Sequence, residues 1–184
     1  MPRRPGDSGD GHESETGTGG APPAPPQVLG VHFHLGAPGS APLHPALKTL
    51  LRFWDDRRGS RPMPGRSAVP VYALKPWLDH LAIFEPVPGT LRFRLAGAGL
   101  VPRFGRSMNG QTLADLDAAL RKPLVALCDL AVARTGPVAA ATVLRFEGKR
   151  ELWSELMLPL SGWGARPMLL LLGCYPIDPA PRLP

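Results

Sequence analysis

Cysteine is nearly absent from this sequence: Cys128 and Cys174 are the only two among 184 residues. Both lie among apolar residues, and neither has a histidine or the other cysteine close to it along the chain. Structural zinc sites and disulfide frameworks need several such ligands at short spacing. We therefore expect two buried, reduced thiols, with no metal site and no disulfide.

Long apolar runs are also missing. No segment approaches the ~18 apolar residues that a transmembrane helix needs, and the apolar stretch MLLLLGCY at 168–175 suits a buried strand instead. Arg3 and Arg4 near the N-terminus are not followed by the apolar segment of a secretory signal. These absences predict a cytoplasmic protein without a membrane span.

Lysine is scarce as well, at 4 of the 21 basic residues, and the net charge of +6 is unevenly placed. Two arginines against four acidic residues give residues 1–42 a charge of −2, so the remainder carries +8. A basic surface of this size can bind nucleic acid. The basic residues are scattered along the domain, so a weakly basic nucleic-acid-binding domain stays a less favoured alternative.

The N-terminal segment lacks the apolar residues that build a core. Residues 1–42 hold 8 of the 24 prolines and 9 of the 21 glycines. Such a segment cannot bury enough surface to offset the entropy of ordering it. We interpret residues 1–41 as a disordered Gly/Pro-rich tail, 42–177 as one domain and 178–184 as a short flexible C-terminal tail. Within the tail, the apolar patch VLGVHFHLG at 28–36 is interpreted as a linker in preference to a short docking strand.

The domain itself begins with an amphipathic pattern that predicts a flanking helix at 43–58. Apolar residues recur at helical spacing, at Leu47, Leu50 and Trp54. His44 suits the N-cap position, and Gly59 supplies the stop. A second helix is predicted at 123–135, with Pro123 in its first turn and a glycine cap in the TGP that follows.

Period-two patterns predict five strands around these helices. In TLRFRLAG, Leu91, Phe93 and Leu95 fall on one face and Arg92 and Arg94 on the other. The PVPG turn before this run predicts that 80–97 forms two antiparallel strands. Three more strands are predicted near 138–147, 151–160 and 166–175. The order of elements indicates an α+β fold, a five-stranded antiparallel sheet with helices on one face plus the N-terminal flanking helix.

Both the order of elements and the local motifs resemble a bacterial PAS-like family, common in alphaproteobacteria and formerly catalogued as a domain of unknown function. The resemblance covers about residues 43–176, and each motif alone is weak. The matching motifs are Phe53-Trp54, RPMPGR at 61–66, RFRLAG at 92–97, Phe104-Gly105, Gly110 and ELMLPL at 155–160. One departure is Ala98, where many relatives place a threonine.

The resemblance implies a stand-alone sensory or signalling module that acts through protein–protein interaction, and no enzyme. It also implies a cavity between sheet and helices, where an unknown small-molecule ligand can bind; the candidate lining residues are Phe93, Leu95, Phe104, Cys128 and Trp153. An unknown signalling protein, or a second copy that pairs through the N-terminal helix, is the expected partner. The candidate partner surface consists of Leu47, Leu50, Trp54, Arg92 and Arg94. A ligand-free structural interaction domain is the alternative.

Several chemistries fit the sequence poorly. The run from Gly97 to Gly99 suggests a dinucleotide loop, but Pro102 stands where that fingerprint needs its third glycine. No histidine lies on the predicted 123–135 helix, which disfavours haem, and Cys128 lies in ALCDLA and not in the Asn-Cys-Arg motif of photoreceptive flavin domains. We therefore assign no cofactor and no catalytic residue.

Overall fold

The structure is a computed structural model that describes residues 27–34, 43–146, 149–162 and 167–177. Three α-helices form in these ranges: α1 (Pro45–Arg58), α2 (Val101–Phe104) and α3 (Ala118–Arg134). Short 3-10 helices cover Arg66–Ala68, Val71–His80, Ala98–Leu100 and Leu113–Asp115. The strands are β1 (Gln27–His34), β2 (Leu81–Val87), β3 (Thr90–Ala96), β4 (Val138–Phe146), β5 (Lys149–Ser161) and β6 (Pro167–Ile177).

All six strands join one antiparallel sheet in the order β1-β4-β5-β6-β2-β3. The α+β class and the five predicted strands are confirmed, but the sheet has six strands and not five. The sixth is β1, which falls in the segment interpreted as a linker, so that interpretation is wrong for residues 27–34. Backbone pairing with β4 orders β1 at the edge of the sheet, with Val31 opposite Thr142 and His32 opposite Ala141.

Parts of the other sequence predictions lie outside the described residues. These parts are 1–26 and 35–41 of the predicted N-terminal tail, residue 42 of the predicted domain and 178–184 of the predicted C-terminal tail, together with 147–148 and 163–166 between strands.

Helices cover both faces of the sheet, which corrects the prediction of helices on one face. On one face lies the α3-side core, which includes Phe84, Phe93, Phe104, Leu124, Leu127, Trp153 and Met157. On the other lies the α1-side core, which includes Leu47, Leu50, Trp54, Leu74, Leu156, Leu158 and Leu171. Neighbouring residues of β5 and β6 point to opposite faces, and both strands are buried without a break, over residues 153–160 and 169–174, so each face must be covered.

The predicted flanking helix is confirmed as α1. Nδ1 of His44 accepts a hydrogen bond from the backbone N–H of Ala46 at 3.2 Å and caps the helix start. At the other end Gly59 adopts φ 57°, a conformation that glycine takes without strain. The Trp54 indole donates to the Pro159 carbonyl of β5 at 2.9 Å. This bond and the buried leucines hold α1 on the sheet, and each fully buried leucine contributes about 1.5–3 kcal/mol.

The longer helix differs from its prediction at both ends. It begins at Ala118, where the Asp117 carboxylate accepts from the Ala119 N–H at 2.8 Å, so Pro123 lies inside the helix and not in its first turn. At the other end Thr135, and not Gly136, takes the left-handed conformation with φ 51°. The capping aspartate lies outside the apolar stripe that set the prediction, which explains the missed helix start.

Strand β3 contains a bulge that changes which residues share a face. Phe84 of β2 pairs with Phe93 and Ile83 pairs with Leu95, which leaves Arg94 as the extra residue. A bulge reverses the alternation beyond it. Phe93 therefore packs in the α3-side core, whereas Leu95 packs in the α1-side core, and the prediction that they share a face is wrong.

The glycines of the LAGAG run lie where two backbone segments meet closely. A Cβ on Gly97 would overlap the carbonyl oxygens of Leu78 and Asp79, and one on Gly99 would stand 2.8 Å from the Asp79 oxygen. Because glycine has no Cβ, these two residues allow the chain after β3 to lie this close to the end of the Val71–His80 helix. They bear no relation to a phosphate loop.

The outer edge of β3 is paired with a loop. The Asn109 amide accepts from Ala96 N at 2.7 Å and donates to Ala96 O at 3.0 Å. Phe93 extends the pairing, because its N–H donates to Gln111 O and its carbonyl accepts from Gly110 N, both at 2.8 Å. The outward backbone groups of Phe93 and Ala96 are thus satisfied within the chain.

Candidate functional site

The α3-side core brings together four of the five residues predicted to line a ligand pocket. Phe93, Phe104, Cys128 and Trp153 are all buried there. The Phe93 and Phe104 rings meet edge to face with centroids 5.5 Å apart. Leu95 is excluded, because the bulge in β3 directs it to the opposite core. Four residues that are dispersed in sequence therefore converge between the sheet and α3.

A buried ion pair lies in the same core, and the sequence did not predict it. The Nη2 of Arg103, on α2, contacts Oε1 of Glu155, on β5. Both side chains are almost fully buried, with 2% and 3% of their surface exposed. The Thr142 hydroxyl, on β4, donates to the same carboxylate oxygen at 2.6 Å. Burial at this depth requires that each charge be compensated, and this arrangement compensates the carboxylate twice.

Arg103 is only partly compensated. Its guanidinium carbon lies 5.5 Å from the Phe104 ring centroid and 5.7 Å from the Trp153 ring centroid, within the range of cation–π attraction. Its Nε and Nη1 are buried and have no hydrogen-bond partner within residues 27–34, 43–146, 149–162 and 167–177. A buried donor without a partner costs about 1–3 kcal/mol. This guanidinium therefore offers unused donors inside an otherwise apolar core.

Two features of the sequence point to this ion pair, since each of its members is an isolated charge in an apolar stretch. Arg103 is the sole charged residue of VPRF, and Glu155 is the sole acidic residue in the apolar run LWSELMLPL. The structure buries both faces of that run, so its acidic residue must find a partner inside the protein. The partner lies 52 positions earlier in the chain, which is why local pattern analysis did not pair the two residues.

Glu155 and its neighbour Ser154 connect the two sides of the sheet. The Ser154 hydroxyl oxygen accepts a hydrogen bond from the backbone N–H of His44 at 3.2 Å. Ser154 therefore contacts the start of α1 on one face, while Glu155 contacts Arg103 on the other. Adjacent residues of a strand move together, so any displacement of β5 at this point acts on both cores.

Three rings stack beside the start of α1. Tyr175 lies between His44, at 4.5 Å between centroids, and His80, at 4.4 Å. Burial and the neighbouring His80 lower the pKa of His44, and burial lowers the pKa of His80 against the opposing effect of Asp79. Burial raises the pKa of Tyr175. The stack therefore favours two neutral imidazoles, and a neutral His44 is the form that can cap α1 through Nδ1.

Both thiols are buried and free. Burial, followed by the nearby charge of Asp129, raises the pKa of Cys128 to about 12, and burial also raises the pKa of Cys174. The thiolate is the reactive form of cysteine. These residues therefore behave as small core side chains at neutral pH.

The predicted partner surface divides into two parts. Leu47, Leu50 and Trp54 are at most 1% exposed because they pack on the sheet, so they are not available to a partner in this structure. The prediction that these three residues contact a partner is wrong, because an apolar stripe on a helix does not show whether it packs on its own sheet or on another protein. Arg92 and Arg94 are about half exposed and flank Glu85.

Glu85 holds both of these arginines at the surface. Arg92 Nε donates to Glu85 Oε1 at 2.9 Å, and Arg94 Nη1 lies 3.5 Å from Oε2. The bond from Arg92 lowers the pKa of the Glu85 carboxyl.

Within residues 27–34, 43–146, 149–162 and 167–177, no three histidine, cysteine or acidic side chains come together as metal ligands would. No α-helix in the same ranges is long and apolar enough to cross a membrane.

Comparison with known proteins gives one family match. A family model described as a PAS domain matches residues 43–175, from just before α1 to the end of the buried part of β6. Strand β1 lies outside the matched segment. No curated protein matches the chain.

Proposed function

Because this chain belongs to the PAS domain family, we propose that it is a sensory or signalling module that acts by binding another protein. PAS domains are typically sensory and non-catalytic. The proposal assigns the sensing role to the α3-side core and the output role to α1. It assigns no catalytic residue.

The position of Ser154 next to Glu155 carries the proposal. Glu155 belongs to the buried ion pair with Arg103, so a change in the α3-side core acts on it directly. Ser154 bonds the backbone of His44, at the start of α1. A shift of β5 therefore changes the support of α1 without any contact between α1 and a ligand. This is the kind of linkage that a sensor needs between its interior and its surface.

A partner meets the polar face of α1, since the apolar stripe is buried. Lys48 and Arg52 are exposed on this face, one helical turn apart, and Asp55 and Asp56 follow. Charged groups at such a surface select a partner and speed its association more than they add affinity. We therefore propose an acidic patch on the partner opposite Lys48 and Arg52.

Affinity capture after cross-linking in the native cells tests this proposal, with wild type compared with Lys48→Glu/Arg52→Glu. We expect a reproducible partner whose recovery falls at least about tenfold in the variant, as reversed charges at an interface cost several kcal/mol. Lys75→Glu/Lys122→Glu is the matched control, because both of those lysines are exposed and lie outside α1. Equal recovery from all three proteins would contradict the proposed output surface.

Self-association through α1 is tested separately. Sedimentation of purified protein gives its mass, and a homodimer through the polar face of α1 dissociates in Lys48→Glu/Arg52→Glu but not in the control. A dimer that persists in both variants places the contact elsewhere.

A further inference from the structure

The α3-side core contains hydrogen-bond donors that find no acceptor among the residues that the structure describes. A guanidinium presents five N–H donors in a fixed plane. Arg103 uses Nη2 for Glu155, while Nε and Nη1 are buried without a partner. Buried donors in folded proteins are almost always bonded, to protein or to a bound molecule. The two nitrogens therefore point to a missing acceptor.

The charge balance of the core decides what kind of acceptor fits. Glu155 already neutralises Arg103, and the other buried polar side chains among the described residues are the uncharged Thr142 and Ser154. An added anion would leave one net negative charge in a medium of low dielectric constant, without a second cation to balance it. An uncharged oxygen acceptor satisfies the donors and keeps the core neutral.

The side chains around the guanidinium indicate the polarity of the rest of the ligand. The Phe104 and Trp153 rings flank it, and the neighbouring core is built from apolar side chains and thiols. A mainly apolar molecule matches these neighbours, and an oxygen at one end matches Arg103.

We propose that Arg103 anchors a small, uncharged, mainly apolar ligand through a carbonyl oxygen, within the α3-side core. The inference rests on the proposed function, because it names the ligand chemistry of the α3-side core to which the sensing role is assigned, and its test involves no partner protein. Failure of ligand binding would leave the α1 output surface intact, and failure of partner capture would leave the ligand site intact.

Three monosubstituted benzenes of similar size test the inference: acetophenone, which carries a carbonyl; ethylbenzene, which carries no oxygen; and benzoate, which is an anion. Each is titrated into the ¹⁵N-labelled full chain while the Arg103 Nε–H and Trp153 indole signals are followed. We expect saturable shifts with acetophenone and at least about tenfold weaker binding of the other two, because each leaves the donors unpaired or the core charged. No saturable shift with acetophenone, or equal affinity for acetophenone and ethylbenzene, overturns the inference.

Removal of the anchor needs a paired change, because Arg103→Met alone would leave Glu155 buried without its cation. In Arg103→Met/Glu155→Leu we expect acetophenone to lose its advantage over ethylbenzene. Arg92→Met/Glu85→Leu is the matched control, since it makes the same substitutions in an exposed pair on β2 and β3 and keeps the preference. A preference that survives in Arg103→Met/Glu155→Leu overturns the role of Arg103.

Ordered water is the alternative hydrogen-bond partner of Arg103 Nε and Nη1. A crystal structure of the wild-type protein grown with acetophenone distinguishes water from a ligand carbonyl. A carbonyl oxygen bonded to Nε or Nη1 supports the inference. Water at both nitrogens, with no acetophenone in the core, overturns it.

Discussion

Gly173 of β6 lies directly beneath Leu47 of α1: a Cβ built on Gly173 would stand 2.5 Å from Leu47 Cδ2. The same Cβ would stand 3.1 Å from Leu50 Cδ2. Both leucines are fully buried. The absence of one methyl group on the sheet thus determines how closely α1 can pack.

Substitution of this glycine should loosen α1. We expect Gly173→Ala to lower the free energy of unfolding by about 1–3 kcal/mol, the usual cost of an overpacked core. Urea denaturation measures the change. Gly136→Ala is the control, since its Cβ would meet nothing closer than 3.6 Å, and we expect a change within about 0.5 kcal/mol. Equal losses in both variants would contradict the close packing of α1 against β6.

The buried ion pair should respond unequally to single and paired changes. Arg103→Met leaves the Glu155 carboxylate buried beside Thr142 alone, and we expect a loss of about 3–5 kcal/mol. Arg103→Met/Glu155→Leu removes both charges and should recover most of that loss. Denaturation of the single and double variants measures the coupling. A double variant as unstable as Arg103→Met would show that the pair matters through packing and not through charge.

Stability should fall as the solution is acidified through the range of histidine titration. The pKa values of His44 and His80 are lowered in the folded protein, so the unfolded chain takes up protons first. Their stabilising contribution is complete above the unfolded pKa of about 6.5 and is lost as pH falls towards the folded pKa values. Urea midpoints between pH 7.5 and pH 5 measure the slope.

His44→Asn isolates the part of this slope that comes from the helix cap. Asparagine caps helices well and does not titrate, so we expect a shallower slope below pH 6.5 with little change at pH 7.5. An unchanged slope would assign the pH dependence to groups other than His44.

Cys128 should resist thiol reagents in the folded protein. A pKa of about 12 leaves roughly a thousandfold less thiolate near neutral pH than a thiol of pKa 9, before burial limits access further. Iodoacetamide labelling followed by mass spectrometry measures the rate, with the protein in denaturant as the reference. Labelling at similar rates in both conditions would contradict the buried position.

Local patterns were sufficient to predict most of the secondary structure. Helix α1 was predicted from its apolar stripe and its cap at His44, and the strands from alternation and turn residues. These signals arise within about ten residues of chain. The family resemblance rested on the same local motifs, and the match over residues 43–175 confirms it.

Features that depend on distant residues were not predictable in this way. Strand β1 is ordered by pairing with β4, more than 100 positions later. Arg94 can be recognised as the extra residue of β3 only when its pairing with β2 is known. The resulting bulge places Leu95 outside the predicted pocket. Arg103 and Glu155 each look like an isolated charge in the sequence. Their ion pair forms only when the fold brings α2 against β5.

The pairing of Asn109 with Ala96 has a consequence for assembly. The Asn109 side-chain amide occupies the position that a peptide group of a neighbouring strand would take, so no further strand can pair with the backbone of Ala96. An open strand edge is the usual starting point for polymerisation between copies. At this edge the backbone of Phe93 and Ala96 is already bonded to the loop, so a copy or partner that meets the molecule here cannot pair with it at those two positions.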